Sequence, residues 1–293
     1  MTLTEQAPST PGAHPAPLTE HLTVWVDDHL VNAADARVAA LDSGMVVGNG
    51  VFEAFKVTAE GPFSVQRHLA RLDRSARSLG LPAPDHALIE RAVAAVLAGR
   101  RYVDGKVRIT YTAGAGPLGS QAAFGPPTLV VAADARTLST APARLVTVPW
   151  TRNEHGALTG VKSTSYAENV RALAYATQRG GSEAIFANTA GHVCEGTGSN
   201  LFCVFGSEIV TPPLSAGPLA GITRELVLEW CDVREADLTL AEAQAADEVF
   251  VTSSLRDIQA VAGWDDLRLP APGPVTAAVA ATFAERSAAG LEP

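Results

Sequence analysis

Residues Gly160–Val170 read "GVKSTSYAENV" and set one lysine, Lys162, between glycine and a run of small hydroxyl residues. The chain holds 22 Lys plus Arg, yet only Lys56, Lys106 and Lys162 are lysines, so arginine supplies almost all of the positive charge. A lysine at this place therefore asks for a chemical reason. Arginine stays protonated and is a poor nucleophile, whereas a lysine amine can lose its proton in a partly desolvated pocket and condense with a carbonyl. The competing reading is a solvated lysine at a helix start, the common fate of such a residue. The rest of the sequence decides between the two.

A chain of 293 residues has room for two domains, each able to bury a core. With 47% hydrophobic and 18% charged residues it reads as globular rather than disordered. A net charge of -9 argues against a nucleic-acid or anionic-membrane surface, since both need a basic face. Small molecules are the expected partners. The three cysteines, Cys194, Cys203 and Cys231, form no paired framework and no C-x-x-C, which fits a reducing compartment and a cytoplasmic protein. Residues 1–21, "MTLTEQAPSTPGAHPAPLTEH", are rich in Pro, Thr and Ser without an apolar core of signal-peptide length, and are expected to form a disordered tail. No later apolar run approaches the roughly 18 residues of a membrane span.

From Leu22 the pattern is of short β-like runs: "LTVWV", then "LVNAADARVAAL", then "VFEAFKV". In the last of these, alternation puts Phe52, Ala54 and Lys56 on one face and Glu53 and Phe55 on the other. "SVQRHLARLDRSARSLGL" has apolar residues at helical spacing and ends at Gly80 before Pro82, an amphipathic helix with a stop signal. "DHALIERAVAAVLAG" repeats the pattern, and "KVRITYT" and "PTLVVAAD" return to strand. The second half opens with "LVTVPW", reaches the lysine segment, and runs a helix from about Tyr166 to Gly180 and Gly181. A strand meander is expected over "EAIFANTAGHVCEGTGSNLFCVFGSEIVTPP", a helix over "ITRELVLEWC" and a buried strand over "EVFVTSS". The expected division is a small N-terminal domain over 22–140 and a larger C-terminal, cofactor-binding domain over 141–293.

"GAGPLG", Gly114 to Gly119, matches the dinucleotide fingerprint but carries Pro117 and opens no helix, so it reads as a plain glycine loop. His192 and Glu195 make only a weak metal pair. "LAGITREL" is more informative. A glycine followed by Ile-Thr opens a helix, so free backbone N–H groups, the Thr223 hydroxyl and the helix dipole converge where an anion could sit; an ordinary N-cap is the competing reading. "VTSS" adds hydroxyl donors at a strand end, and Arg71 is a candidate charge. A Schiff-base lysine beside two anion-friendly turns suits a cofactor with both an aldehyde and a phosphate, which is what pyridoxal 5′-phosphate requires. Glu195 in "CEGTGSN" could supply the acid that keeps such a ring's nitrogen protonated and the ring an electron sink.

In order along the chain, "GNGVFEAFKV", "RHLARLDRSA", "VKSTSYAENV", "EAIFANTAGHVCEGTGSNLF", "TPPLSAGPLAGITREL" and "DEVFVTSSLRDI" resemble the fold type IV pyridoxal-phosphate enzymes: D-amino acid and branched-chain aminotransferases, some amine transaminases, and aminodeoxychorismate lyase. The resemblance implies an α+β subunit with a small N-terminal α/β domain and a larger, pseudo-barrel-like C-terminal α/β domain. It also implies a homodimer whose partner loops complete the pocket. Lys162 resembles the lysine that carries the cofactor and moves the proton. Arg71 is similar to the phosphate-binding arginine, while Gly221, Ile222 and Thr223 resemble the phosphate cup. Thr252 and Ser253 resemble the second set of phosphate donors, Glu195 the acid at the ring nitrogen, and Leu219 the apolar side chain against the ring.

The reading that follows is a transaminase taking an amino donor and a 2-oxo acid acceptor. The alternatives are an aminodeoxychorismate lyase forming 4-aminobenzoate and pyruvate, or a branched-chain L-amino acid aminotransferase. A non-catalytic binder is disfavoured by the joint presence of Lys162, Glu195 and Arg71. In the D-amino acid members an Arg-x-His pair grips the substrate carboxylate, but here Leu118 and Ser120 stand at those places. A carboxylate in a partly buried pocket still needs a cation. Lys56 resembles a lysine of the D-amino acid enzymes and Arg108 a pocket arginine of the branched-chain ones. The expectation is a D-amino acid transaminase with a looser pocket that also admits (R)-amines, with Phe52, Ala54 and Tyr166 lining the walls.

Overall fold

A computed structural model describes residues 22–100, 102–121, 125–135 and 141–293. The expected tail at 1–21 lies outside the described residues. The first half contains β1 (Leu22–Val26), β2 (His29–Val31), α1 (Ser43–Val46), β3 (Gly50–Val57), α2 (Val65–Ser78), α3 (His86–Leu97), β4 (Gly105–Thr112) and β5 (Thr128–Asp134). The second contains β6 (Ala143–Arg152), α4 (Ala167–Thr177), β7 (Glu183–Asn188), β8 (Val193–Gly196), β9 (Asn200–Phe205), β10 (Glu208–Thr211), α5 (Ile222–Trp230), β11 (Val233–Glu235), α6 (Leu240–Gln244), β12 (Glu248–Ser253), β13 (Asp257–Trp264), β14 (Leu267–Arg268) and α7 (Pro274–Ala288).

Among these residues the first five strands form an antiparallel sheet in the order β2-β1-β5-β4-β3. Strand alternation along β3 turns Val51, Phe55 and Val57 toward α2 and α3, where Leu69, Leu72, Ile89 and Val93 close the core. Each large side chain buried there is worth about 1.5–3 kcal/mol. Helix α2 begins without a side-chain cap of its own; instead the carboxylate of Glu292, near the C-terminus, accepts from the Val65 and Gln66 N–H groups at 2.8 and 3.1 Å. The end of the chain thus caps a helix of the first half.

The remaining nine strands form a mixed sheet in the order β11-β10-β9-β12-β13-β6-β7-β8, with β14 on β13. It curls until β8 returns to β9, where the Gly196 N–H donates to the Ser199 carbonyl at 2.8 Å. Leu145, Ile185, Leu201, Val249, Val251 and Trp264 fill the inside of the curl. Outside it, α5 and α7 cover Phe202 and Phe250, whose rings stack at 4.7 Å, while α4 covers Val146, Val148 and Phe186. The chain leaves the first sheet at Asp134 and enters the second at Ala143. No helix among the described residues is long and apolar enough to cross a membrane.

Three expectations change. Of "LVNAADARVAAL" only the first residues are strand; Asn32 to Asp35 make a turn, and Val38 and Leu41 are left exposed, in no strand pairing among the described residues. The meander is two separate hairpins, β7-β8 and β9-β10, set apart in the sheet because β9 pairs onward with β12. Helix α7 was not anticipated, although Gly273 followed by Pro274 at its first position is a start signal.

Candidate active site

Side chains from both sheets converge on one cavity of about 680 Å³. Lys162 reaches it from a segment laid along the edge of β3: the Phe52 N–H donates to the Lys162 carbonyl at 2.9 Å, and the Thr164 N–H to the Gly50 carbonyl at 2.8 Å. Gly160 enters the turn before it at φ 74°, a conformation natural to glycine. The Lys162 ammonium sits 4.6 Å over the Phe52 ring. Burial and the positive charge of Arg71 bring its pKa down to about 8, against the opposing pull of Glu53 and Glu195.

Arg71 points from α2 into the same cavity, held from behind. Its Nε and Nη2 donate to the two carboxylate oxygens of Glu53, both at 2.7 Å, and Nη1 donates to the Ala220 carbonyl at 2.8 Å. His68, one helical turn earlier, meets Glu53 at 2.6 Å. Burial alone would raise the Glu53 carboxyl, but Arg71 and His68 hold it well below the usual range; burial also lowers His68. With three donors engaged, Arg71 keeps two N–H groups for the cavity.

On the opposite wall Glu195, from β8, accepts from the Leu219 N–H at 2.9 Å and lies 3.7 Å from Arg152. Burial pushes its carboxyl up, while Arg152, the Leu219 amide and Lys162 pull it down. Arg152 is itself fixed over the Phe186 ring and on Glu168 and Asn169.

Gly221 precedes the first turn of α5, so the N–H groups that follow it have no acceptor within the helix, and Ile222 and Thr223 line the cavity. Asn200 secures the approach by donating to the Leu219 carbonyl at 2.9 Å; a Cβ on Gly221 would lie 1.9 Å from the Asn200 Oδ1. From the end of β12, Thr252 and Ser253 face the same space. Thr252 Oγ1 is buried with no hydrogen-bond partner among the described residues.

Lys162, Arg71, Glu195, Leu219, Gly221, Ile222, Thr223, Thr252 and Ser253 therefore all line one cavity, as do Phe52, Ala54, Arg108 and Tyr166. Lys56 does not. Although it shares a strand face with Phe52 and Ala54, its ammonium is bound to both oxygens of Asp257 at 2.8 Å and lies over the Phe63 and Phe283 rings. The structure places it outside the cavity lining: Asp257, half-exposed at the start of β13 in the second sheet, takes its ammonium. Arg108 rests 3.8 Å over the Phe52 ring, donates to Thr110 at 3.2 Å, and has no acidic partner among the described residues. Tyr166 packs edge-on against Phe52 at 5.3 Å and donates its hydroxyl to the Thr197 carbonyl. Leu118, largely exposed, is not part of the lining, and neither is Ser120.

Sequence reading passed over Glu53, Arg152, Glu183, Asn200 and Arg256. Only Glu53 left a signal, an acid on the strand face that alternation assigns to the core.

The model of the family described as amino-transferase class IV matches residues 50–264. A Methanocaldococcus jannaschii protein, provisionally assigned as a branched-chain-amino-acid aminotransferase, is 32% identical over 81% of this chain and 86% of its own. A Staphylococcus epidermidis D-alanine aminotransferase is 28% identical over 81% of this chain and 87% of its own. Among solved structures, the branched-chain aminotransferase of Thermoproteus uzoniensis with norvaline superposes with a TM-score of 0.83 at 30% identity, covering 90% of this chain and 93% of that one.

Proposed function

The chain belongs to the class IV aminotransferases, and on that footing we propose that it moves an amino group between a D-amino acid and a 2-oxo acid, with Arg108 anchoring the substrate carboxylate. Enzymes of this class use pyridoxal 5′-phosphate. The cavity residues suit that group: a lysine with a lowered pKa, an open helix start, and a buried Thr252 hydroxyl without a partner among the described residues. Lys162 would hold the cofactor through its amine. Arg71, the amides after Gly221, Thr223, Thr252 and Ser253 would take the phosphate, with Glu195 at the ring nitrogen and Leu219 against the ring.

Bound there, the cofactor supplies an aldehyde for the amino group and a ring that accepts the electron pair released at the substrate Cα. Lys162 Nζ, part-deprotonated near neutral pH, would take the substrate Cα proton and return it to the carbon on the far side of the substrate nitrogen. Glu195 would hold positive charge at the ring nitrogen, with Arg152 3.7 Å away keeping that carboxylate in place. Tyr166 and Phe52 wall the cavity and exclude water from the reacting carbon.

One observation carries the choice of carboxylate anchor; the donor panel below distinguishes D from L. Of the cavity-lining arginines, Arg71 is occupied by Glu53, Arg152 by Glu168 and Arg256 by Glu183, which leaves Arg108 as the cation without an acid among the described residues. The looser grip of one arginine, with small Ala54 nearby, also suits (R)-amines that lack a carboxylate. A panel of D- and L-amino acids and (R)-amines, assayed with pyruvate and 2-oxoglutarate, tests this: Arg108→Ala should raise the KM of carboxylate donors at least tenfold and leave (R)-amines unaffected. Turnover with L-branched-chain donors alone would support the second reading, which the 32%-identical relative favours. Release of 4-aminobenzoate from aminodeoxychorismate without amino transfer would overturn both. The working form in this reading is a cytoplasmic homodimer: its cysteines are unpaired, and the exposed apolar run Val38, Leu41, Met45 and Val47 offers a surface for a second copy. Sedimentation at micromolar concentration checks the dimer.

A further inference from the structure

The carboxylate of Glu183 is the most heavily engaged acid beside the cavity. Its Oε1 accepts from the N–H groups of Ala184 and Thr197 at 3.1 and 2.9 Å and from the Thr197 hydroxyl; its Oε2 accepts from the Ser199 hydroxyl and from Arg256 Nη2, each at 2.9 Å. Gly196 lets the chain pass this close, since a Cβ there would lie 2.4 Å from Ser199 Oγ and 3.1 Å from Glu183 Cδ. The result is a buried hub that fixes one guanidinium in space.

Arg256 uses that fixed plane to act on its neighbour. While Nη2 is held by Glu183 and Nη1 by the Gln259 side-chain oxygen at 3.0 Å, Nε donates to Ser253 Oγ at 3.2 Å. A serine oxygen that already accepts from a cation has a more acidic proton, and that proton must point away from the guanidinium. Among the described residues Ser253 donates to no other group of the protein, and it lines the cavity. We propose that Glu183 and Arg256 are positioning residues that aim and polarise the Ser253 hydroxyl as a donor to the phosphate of the cofactor, without the Glu183 carboxylate touching the cofactor. This rests on the assignment of Ser253 to the phosphate end made above.

The test is a binding measurement on the full chain stripped of cofactor and titrated with pyridoxal 5′-phosphate and, separately, with pyridoxal, which lacks the phosphate. Arg256→Gln should weaken pyridoxal 5′-phosphate about tenfold and leave pyridoxal unchanged, because only the phosphate reads the Ser253 proton. Ser253→Ala should show the same loss, and the double variant no further loss, since both changes remove one interaction. Glu183→Gln should fall in between. Equal losses for both ligands, the signature of a structural defect, would overturn the proposal, and so would losses that add in the double variant. If Arg256→Gln does not fold, Arg256→Lys keeps the charge beside Glu183 but cannot serve Glu183, Gln259 and Ser253 together, and the same discrimination is read from it. Amino transfer plays no part in the titration, so failure of the D-amino acid reading would leave its result standing.

Discussion

Glu53 and Arg71 meet through two hydrogen bonds of 2.7 Å, one to each carboxylate oxygen, where Glu53 has no exposure to solvent. Strand β3 supplies the acid and helix α2 the base, so the pair fastens the helix to the sheet while aiming the guanidinium at the cavity. Removing one partner of such a pair costs about 3–5 kcal/mol, because the other charge is left buried.

Glu53→Gln should therefore lower the unfolding free energy by roughly 3 kcal/mol in urea titration. Because the folded carboxyl titrates well below its unfolded value of about 4.3, its contribution is full above that pH and is lost as pH falls beneath it. The unaltered protein should lose stability more steeply than Glu53→Gln below pH 4. Parallel acid-unfolding curves would show that the pair does not form.

Lys162 is shifted in the same direction, but here the lowered value marks a cost of burial rather than a gain from pairing. With a folded pKa of about 8 against an unfolded value near 10.4, it costs stability when protonated, and that cost is relieved as pH rises from 8 to 10.4. Reductive methylation of the cofactor-free chain, read by mass spectrometry at each pH, should show Lys162 reacting with a midpoint near pH 8. Lys162→Ala should abolish the visible absorption of bound cofactor and all amino transfer. A midpoint at pH 10 would remove the electrostatic argument for its role.

Gly221→Ala adds a methyl group that collides with Asn200, whose amide carries the turn before α5. The backbone at Gly221 is ordinary, so the effect is steric and local: a loss of about 1–3 kcal/mol in stability. Cofactor retention in equilibrium dialysis should fall at least tenfold, since the displaced turn holds both Leu219 and the helix amides. Asn200→Ala combined with Gly221→Ala should recover part of that loss.

Lys56→Met separates pocket from scaffold. The Lys56 ion pair with Asp257 ties β3 to the start of β13, and burial raises the Asp257 carboxyl against the pull of Lys56. Losing the lysine should lower the Tm by a few degrees, as about 1 kcal/mol does in a chain of this size, while KM for every carboxylate donor stays within twofold. A tenfold rise in KM would return Lys56 to the substrate site.

Much of this was readable in one dimension. The spacing of Val65, Leu69 and Leu72 set the buried face of α2, and the alternation in "VFEAFKV" set the two faces of β3, because helical and strand periods are local properties of the backbone. Lys162, Arg71, Glu195 and the turn before α5 stood out by residue type. The role proposed for them as a group came from the order of the family-like motifs that carry them.

What the linear order left open was which charges meet. Lys56 shares a face with Phe52 and Ala54, yet Asp257, 201 positions away, takes it out of the pocket; Arg108 lies on the next strand and keeps no acid. Glu183 finds Arg256 across 73 positions, and Glu53 finds Arg71 across 18. Residue type and periodicity alone picked out the lysine, the Gly-Ile-Thr helix start and the faces of the elements. Only the tertiary structure decided which cations are spent inside the protein and which remain for a substrate, since an ion pair depends on distance in space, and the curling of the second sheet sets that distance.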